Sequence, residues 1–314
     1  MRLTRLAESD LGITEEEVAA LFQPFVQSRA EVPEWRREVA RRQRRLLGKS
    51  ARSLLLRWLP GRRRDEATVK KEYSRAWQSV AYDSYSLLAA PAKYTPWEWD
   101  GRQMFASDVG ATRVRQLLLI RIIERLRPQS VLEVGCGNGI NLLLLACRFP
   151  DIAFTGIELT EAGHEAARRL QRLERLPQPM QDYAPLPLVD PTAFRRIRFL
   201  QGNATDLPFP DGSFDLVMTV LALEQMERVR DQALQQIARV ARRHTLMVEP
   251  FADVNQRFWS RLYVLWRNYF RGRIEDLRTY GLQPRLALSD FPQEAFLKVC
   301  AVLAEKTGRL RPGQ

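Results

Sequence analysis

The chain has 314 residues, 45% of them hydrophobic, with three cysteines and a formal net charge of +12. That is enough for one large or two small domains with an ordinary core. No apolar run approaches the roughly 20 residues that span a bilayer, and the N-terminus lacks the apolar stretch and cleavage site of a secretory signal. Cys136, Cys147 and Cys300 have no paired metal-type spacing and read as reduced thiols of a cytoplasmic protein. His164 and His244 are too isolated to suggest a metal centre.

In chain order, Thr14 and Glu17 have capping-box spacing, and Val18, Leu21, Phe22 and Phe25 follow at helical intervals, so a short helix is expected there. Between Glu34 and Lys71 stand 14 basic and 4 acidic residues, a net of +10 that leaves only +2 for the rest. Within residues 34–64, Val39, Leu46, Leu47, Leu54 and Trp58 can share one helical face, and Pro60-Gly61 stops the helix. A solvated helix face is the default for this arm. An anionic membrane surface is the second reading, since Leu54, Leu55, Leu56, Trp58 and Leu59 cluster among arginines. Nucleic-acid contact is the third. Residues 72–110 form an aromatic-rich cover segment: Tyr73, Trp77, Tyr82, Tyr85, Tyr94, Trp97, Trp99 and Phe105.

From Ala111 to Arg125 a helix resumes. The pattern then alternates: strands at 130–135, 152–158, 197–201, 214–220 and 244–249, helices at 139–148, 161–173, 229–241 and 254–270. Two tail strands follow near 285–288 and 297–305, the last of them antiparallel. The expected fold is therefore α/β, a doubly wound, mostly parallel seven-stranded sheet with a helical N-terminal extension. The expected division is 1–71 as the basic extension, 72–110 as the cover, 111–306 as the main domain and 307–314 as a tail. The proline-rich piece 177–191 reads as a structural insertion away from the ligand crevice.

The stretch VLEVGCGNG, residues 131–139, ends a strand and opens a helix. Glycines at 135, 137 and 139 allow a tight turn and close approach of backbone to a ligand. A dinucleotide fingerprint would place its third glycine at 140, where Ile140 stands, so a pyrophosphate turn is disfavoured. Glu158, about 20 residues on, ends the next strand, where an acid can accept hydrogen bonds from ribose hydroxyls. The stretch DLPFPDGSFDLV follows at 206–217.

These motifs, in this order, resemble class I S-adenosylmethionine-dependent methyltransferases, and most of all the branch of quinone- and small-molecule-modifying enzymes. The resemblance covers roughly residues 111–306. It implies a Rossmann-like fold and S-adenosyl-L-methionine as cofactor, with S-adenosyl-L-homocysteine as product. It implies that Gly135, Cys136 and Gly137 line the methionine part, that Glu133 holds the amino group, that Glu158 and Leu159 meet the ribose, and that Asn203 and Ala204 meet the adenine edge. The family usually has Asp where Asn203 stands; Asn keeps the carbonyl acceptor and loses the charge.

For a hydroxyl acceptor a base is needed, and the loops after the strands should supply it. Glu224 is the first candidate, with Glu249 and Asp253 next. Acceptor walls are sought in the cover segment and in residues 258–270, where Trp259, Tyr263, Trp266 and Phe270 recur at helical spacing; core packing is the competing reading. The expected acceptor is a small or lipid-like molecule methylated at oxygen, by a cytoplasmic protein that can sit at a membrane surface. An RNA acceptor reached through the basic arm is one alternative, against which Glu249-Pro250-Phe251 replaces the Asn-Pro-Pro-aromatic tetrad of amine methylases. A non-catalytic scaffold is the other.

Overall fold

The computed structural model describes residues 3–27, 32–55, 84–88 and 93–307, together with Lys70 and Ser74. The expectations for Leu54 to Leu59, the Pro60-Gly61 stop and the rings of Tyr73, Trp77 and Tyr82 lie outside the residues whose side chains are described. Among the described residues no helix is long and apolar enough to cross a membrane.

Helix α1 (Glu15–Phe22) starts where the capping residues place it, with Thr14 Oγ1 accepting from the Glu17 amide at 3.1 Å. It buries Val18, Leu21 and Phe22. Helix α2 (Val32–Leu55) is the basic arm, and it is docked. Trp35 and Leu46 are buried, and Trp35 Nε1 donates to Trp97 O at 3.1 Å. Leu47, expected on the same face, is 45% exposed. One residue past Leu46 is a turn of about 100°, which carries it off the stripe that Trp35 and Leu46 share.

Strands β1 (Thr95–Trp99) and β2 (Arg102–Ala106) form an antiparallel hairpin that the aromatic reading of this stretch does not anticipate. Asp100 and Gly101 close it with φ of 48° and 69°. Two successive positive φ angles match the right-handed twist of the strands, which is why Asp-Gly favours such turns. Helix α3 (Asp108–Leu126) begins three residues earlier than expected, capped by the Ser107 hydroxyl on the Val109 amide. It is buried nearly all round, which accounts for its unbroken apolar run from Leu117 to Ile120.

The main domain continues with β3 (Ser130–Val134), α4 (Ile140–Arg148), β4 (Ala153–Glu158), α5 (Glu161–Gln171), α6 (Gln178–Tyr183), β5 (Arg198–Gln201), β6 (Phe214–Val220), α7 (Arg230–Val240), β7 (Ala241–Glu249), α8 (Phe258–Arg267), β8 (Leu282–Leu288), β9 (Gln293–Glu294) and β10 (Cys300–Lys306). Seven strands form one sheet in the order β5-β4-β3-β6-β7-β10-β8. The strands from β3 to β7 run parallel, and β10 enters antiparallel between β7 and β8, with Val302 opposite both Met247 and Ala287. β9 pairs with β1 in the separate three-stranded sheet. From β3 the chain winds first to β4 and β5, then back across to β6. That reversal opens a crevice at the carboxyl ends of the central strands.

The 177–191 segment lines no part of this crevice among the described residues. The Val189 and Asp190 amides both donate to Cys147 O at the end of α4, each at 2.9 Å. Tyr183, by contrast, donates its hydroxyl to Val109 O at 2.7 Å, near the start of α3. Its ring lies 5.6 Å from that of Tyr85, which does line the crevice.

Candidate active site

The crevice is a cavity of about 440 Å³. Its floor is the glycine loop between β3 and α4. Gly135 has φ of 77°, and a Cβ there would stand 2.5 Å from the Ala222 Cβ, so only glycine lets the loop pass beneath the exit of β6. The Gly135 and Cys136 amides donate to Ile157 O at 2.8 and 3.1 Å, fixing the loop to β4. Glu158 completes the attachment. Its Oε2 accepts from the Gly137 amide at 3.0 Å, and its Oε1 accepts from the Thr160 amide and hydroxyl at 3.0 and 2.7 Å. A carboxylate has about four acceptor positions, so one remains on the Oε2 side.

Glu133 lies at the head of the cavity, 1% exposed. Its Oε1 accepts from Asn141 Nδ2 at 2.8 Å, whereas its Oε2 is buried with no hydrogen-bond partner among the described residues. Burial, aided by the charge of Glu158 and opposed by Asn141, pushes the Glu133 carboxyl up to about 8. A buried acid with one idle oxygen facing a cavity calls for a cationic donor. Cys136 is buried beside it, and burial raises its thiol well above the ordinary range. Leu159, Asn203 and Ala204 line the next part of the wall. The Asn203 Oδ1 accepts from the Thr205 amide at 3.1 Å.

The third wall follows β6. Leu221 adopts φ of 53°, an unfavourable conformation for a branched side chain, and its amide donates to Val248 O at 3.0 Å. Glu224 lines the cavity and is 7% exposed, with Gln225 Nε2 donating to its Oε1 at 2.6 Å. Glu249 does not line the cavity. It is fully buried beneath the turn, its Oε1 accepting from the Ala222 and Leu223 amides at 2.9 and 3.0 Å and its Oε2 from the Glu224 amide at 3.2 Å. Burial and then the charge of Glu224 push it up to about 8. Its oxygens are occupied by backbone, so its place in the fold is that of a support for the turn bearing Glu224. Asp253 also lies elsewhere, its Oδ2 accepting from the Ile274 amide at 2.9 Å.

The aromatic residues of 258–270 do not line the cavity among the described residues. Trp266 faces α2, with Lys49 Nζ 4.8 Å from its ring centroid, and Tyr263 packs against Tyr269 and Phe296. The cover segment contributes Tyr85, whose hydroxyl accepts from Asn138 Nδ2 at 3.3 Å. Asp108, Thr112 and Arg115 come from α3. Tyr85 belongs to the cover segment in which an acceptor wall was sought; Asp108, Thr112 and Arg115 were not singled out from the sequence. The available signal was the pair of arginines, Arg113 and Arg115, just before the apolar run Leu117 to Ile120.

The comparisons with known proteins agree with this geometry. A sequence model of the methyltransferase-domain family matches residues 132–248. The fatty-acid O-methyltransferase of Mycolicibacterium smegmatis is 35% identical over 114 residues, 36% of this chain and 34% of its own. The ajmaline N-methyltransferase of Rauvolfia serpentina is 28% identical over 115 residues, 37% of this chain and 33% of its own. The chain thus matches about a third of the length of these curated relatives. Among solved structures, the [4+2]-cyclase SpnF shares the fold with a TM-score of 0.50 at 17% identity, covering 76% of this chain and 95% of its own.

Proposed function

Because residues 132–248 form a class I S-adenosylmethionine-dependent methyltransferase domain, we propose that the protein methylates a small-molecule or lipid-like acceptor, at oxygen. The observation that carries this reading is Glu133, whose buried, idle Oε2 fits the amino group of the cofactor's methionine end. The other residues fit as well: Gly135 and Gly137 line the cavity at left-handed φ of 77° and 53°, Glu158 keeps an acceptor position for a ribose hydroxyl, and Asn203 and Ala204 suit the adenine edge. The chemistry supplied at this site, once the cofactor is bound, is an electrophilic methyl group on a sulfonium.

What the chain itself contributes is position: the glycine loop and Glu158, the exit of β6, and α3 with Tyr85 line the cavity in which the reacting atoms would meet. Glu224, on the turn after β6, is the acid available to take a proton from a hydroxyl acceptor. The names of the relatives support a small or lipid-like acceptor, and the first of them supports oxygen. The outward arginines of α2 support a peripheral seat on an anionic surface.

The test is calorimetric titration of the full chain with S-adenosylhomocysteine, beside Glu158→Ala. Micromolar binding, about 8 kcal/mol, that is lost in a folded variant is the expected result. No binding by the folded wild type would overturn the reading in favour of a non-catalytic scaffold.

A further inference from the structure

Two buried arginines on α3 have different surroundings. Arg113 directs its guanidinium to backbone carbonyls, with Nε donating to Tyr183 O at 2.8 Å and the two Nη atoms to Leu21 O and Ala184 O, both at 3.4 Å. Arg115, two residues on, lines the cavity and is 9% exposed. Its hydrogen bond among the described residues runs from Nη2 to Thr112 Oγ1 at 2.9 Å, and its Nε is buried without an acceptor. The acids whose charge reaches it are Asp108 and Glu224, and among the described residues neither forms an ion pair with it.

A guanidinium offers five donors in a planar fork and does not lose its proton in a protein. Buried without an ion-pair partner among the described residues, it carries a desolvation cost that an entering anion offsets. The fork matches two oxygens of a carboxylate. Arg228 also lines the cavity, but the acids Asp108 and Glu224 whose charge reaches Arg115 oppose a dianion such as phosphate. The exit of β6 adds apolar side chains, Val220, Leu221, Met226 and Val229, interleaved with Glu224, Gln225 and Arg228. Arg115 lines the cavity with Thr112 and Tyr85, and Tyr85 reaches the glycine loop through Asn138 Nδ2 at 3.3 Å.

Resting on the methyltransferase reading above, we propose that Arg115 is the anchor for the carboxylate of an acceptor with an apolar body, so that the acceptors are amphipathic acids. Burial lowers the affinity of Arg115 for its proton, and Tyr183, Asp108 and Glu224 oppose that shift. The cofactor's own methionine carboxylate is the other source of the same chemistry, and the experiment separates the two.

The test uses the full chain with S-adenosylhomocysteine, laurate and 1-dodecanol as probes, titrated calorimetrically. In the wild type laurate should bind more tightly than dodecanol. Arg115→Met should weaken laurate by about 30-fold and leave dodecanol and S-adenosylhomocysteine within about twofold. Arg115→Lys, which keeps the charge and loses the fork, should fall between. A loss of S-adenosylhomocysteine affinity with laurate unchanged would overturn the proposal and assign the guanidinium to the cofactor. Unchanged binding of all three probes would make Arg115 structural. If the methionine variant does not fold, the wild-type comparison still decides, since dodecanol binding as tightly as laurate overturns the proposal. Failure of the underlying methyltransferase reading is read separately, as absence of S-adenosylhomocysteine binding by the wild type.

Discussion

Glu133 makes the cavity sensitive to pH in a direction that can be worked out. Its carboxyl rests near 4.5 when exposed and is pushed up to about 8 in the fold, chiefly by burial. The folded state therefore binds the proton more tightly than the unfolded chain. The stabilisation from this group is fully present below about 4.5 and is lost as pH rises through about 8. The Tm of the ligand-free wild type, measured against Glu133→Gln, should fall steadily between those values. A difference that stays flat across the window would show that Glu133 is not held protonated. Gly135 gives a second prediction of the same scale. Gly135→Ala meets the Ala222 Cβ at 2.5 Å in a left-handed backbone and should cost roughly 3 kcal/mol. Gly212→Ala has a similar φ of 63° with its nearest contact at 3.9 Å, so it should cost only about 1 kcal/mol. Denaturant unfolding of the two variants checks the contrast, and equal losses would mean that backbone conformation alone, not the approach to β6, requires glycine at 135.

At the scale of elements, the turn after β6 depends on a residue from the next strand. Glu249 ends β7 and holds the amides of Ala222, Leu223 and Glu224. Removing it strands three buried donors, so Glu249→Ala should destabilise by about 3–5 kcal/mol. Glu224→Ala, which removes a cavity-lining side chain but leaves that support in place, should lose far less. Similar losses in the two variants, measured by thermal unfolding, would contradict the division of roles between these acids. The pair also shows what the sequence could and could not disclose. The strands, the glycine loop and Glu158 were legible because each is a local pattern of periodicity, turn chemistry or spacing. Glu249 was rightly placed at the end of a strand, but which way its carboxylate faces depends on the neighbouring turn, a contact between residues 25 or more positions apart. Tyr85 and Arg115 enter the site only when α3 and the cover segment close over the sheet. The β1–β2 hairpin had its Asp-Gly signal in plain view, masked by the aromatic residues around it.

For the whole molecule, the uneven charge is what the proposed anionic surface would meet. Helix α2 is fixed to the body through Trp35 and Leu46, so its remaining face is presented as a rigid surface and not as a loose tail. Arg37, Arg44 and Arg45 are exposed on it. Helix α8 packs beside α2 through Trp266 and Lys49 and adds the exposed Phe258 and Leu265, 65% and 48% accessible. Basic residues flanked by exposed apolar ones favour a lipid surface over nucleic acid, because apolar groups gain nothing from a phosphate backbone. Each arginine near an anionic membrane contributes about 1 kcal/mol, so replacing the three by glutamine should weaken binding by about 3 kcal/mol, more than 100-fold. The measurement is sedimentation with vesicles of phosphatidylserine and phosphatidylcholine at low and high salt. Binding that is lost with salt, lost in the triple variant and absent on pure phosphatidylcholine supports the surface. Absence of binding at low salt would sink it, and equal capture by short unstructured RNA with the same dependence on the three arginines would turn the arm toward nucleic acid.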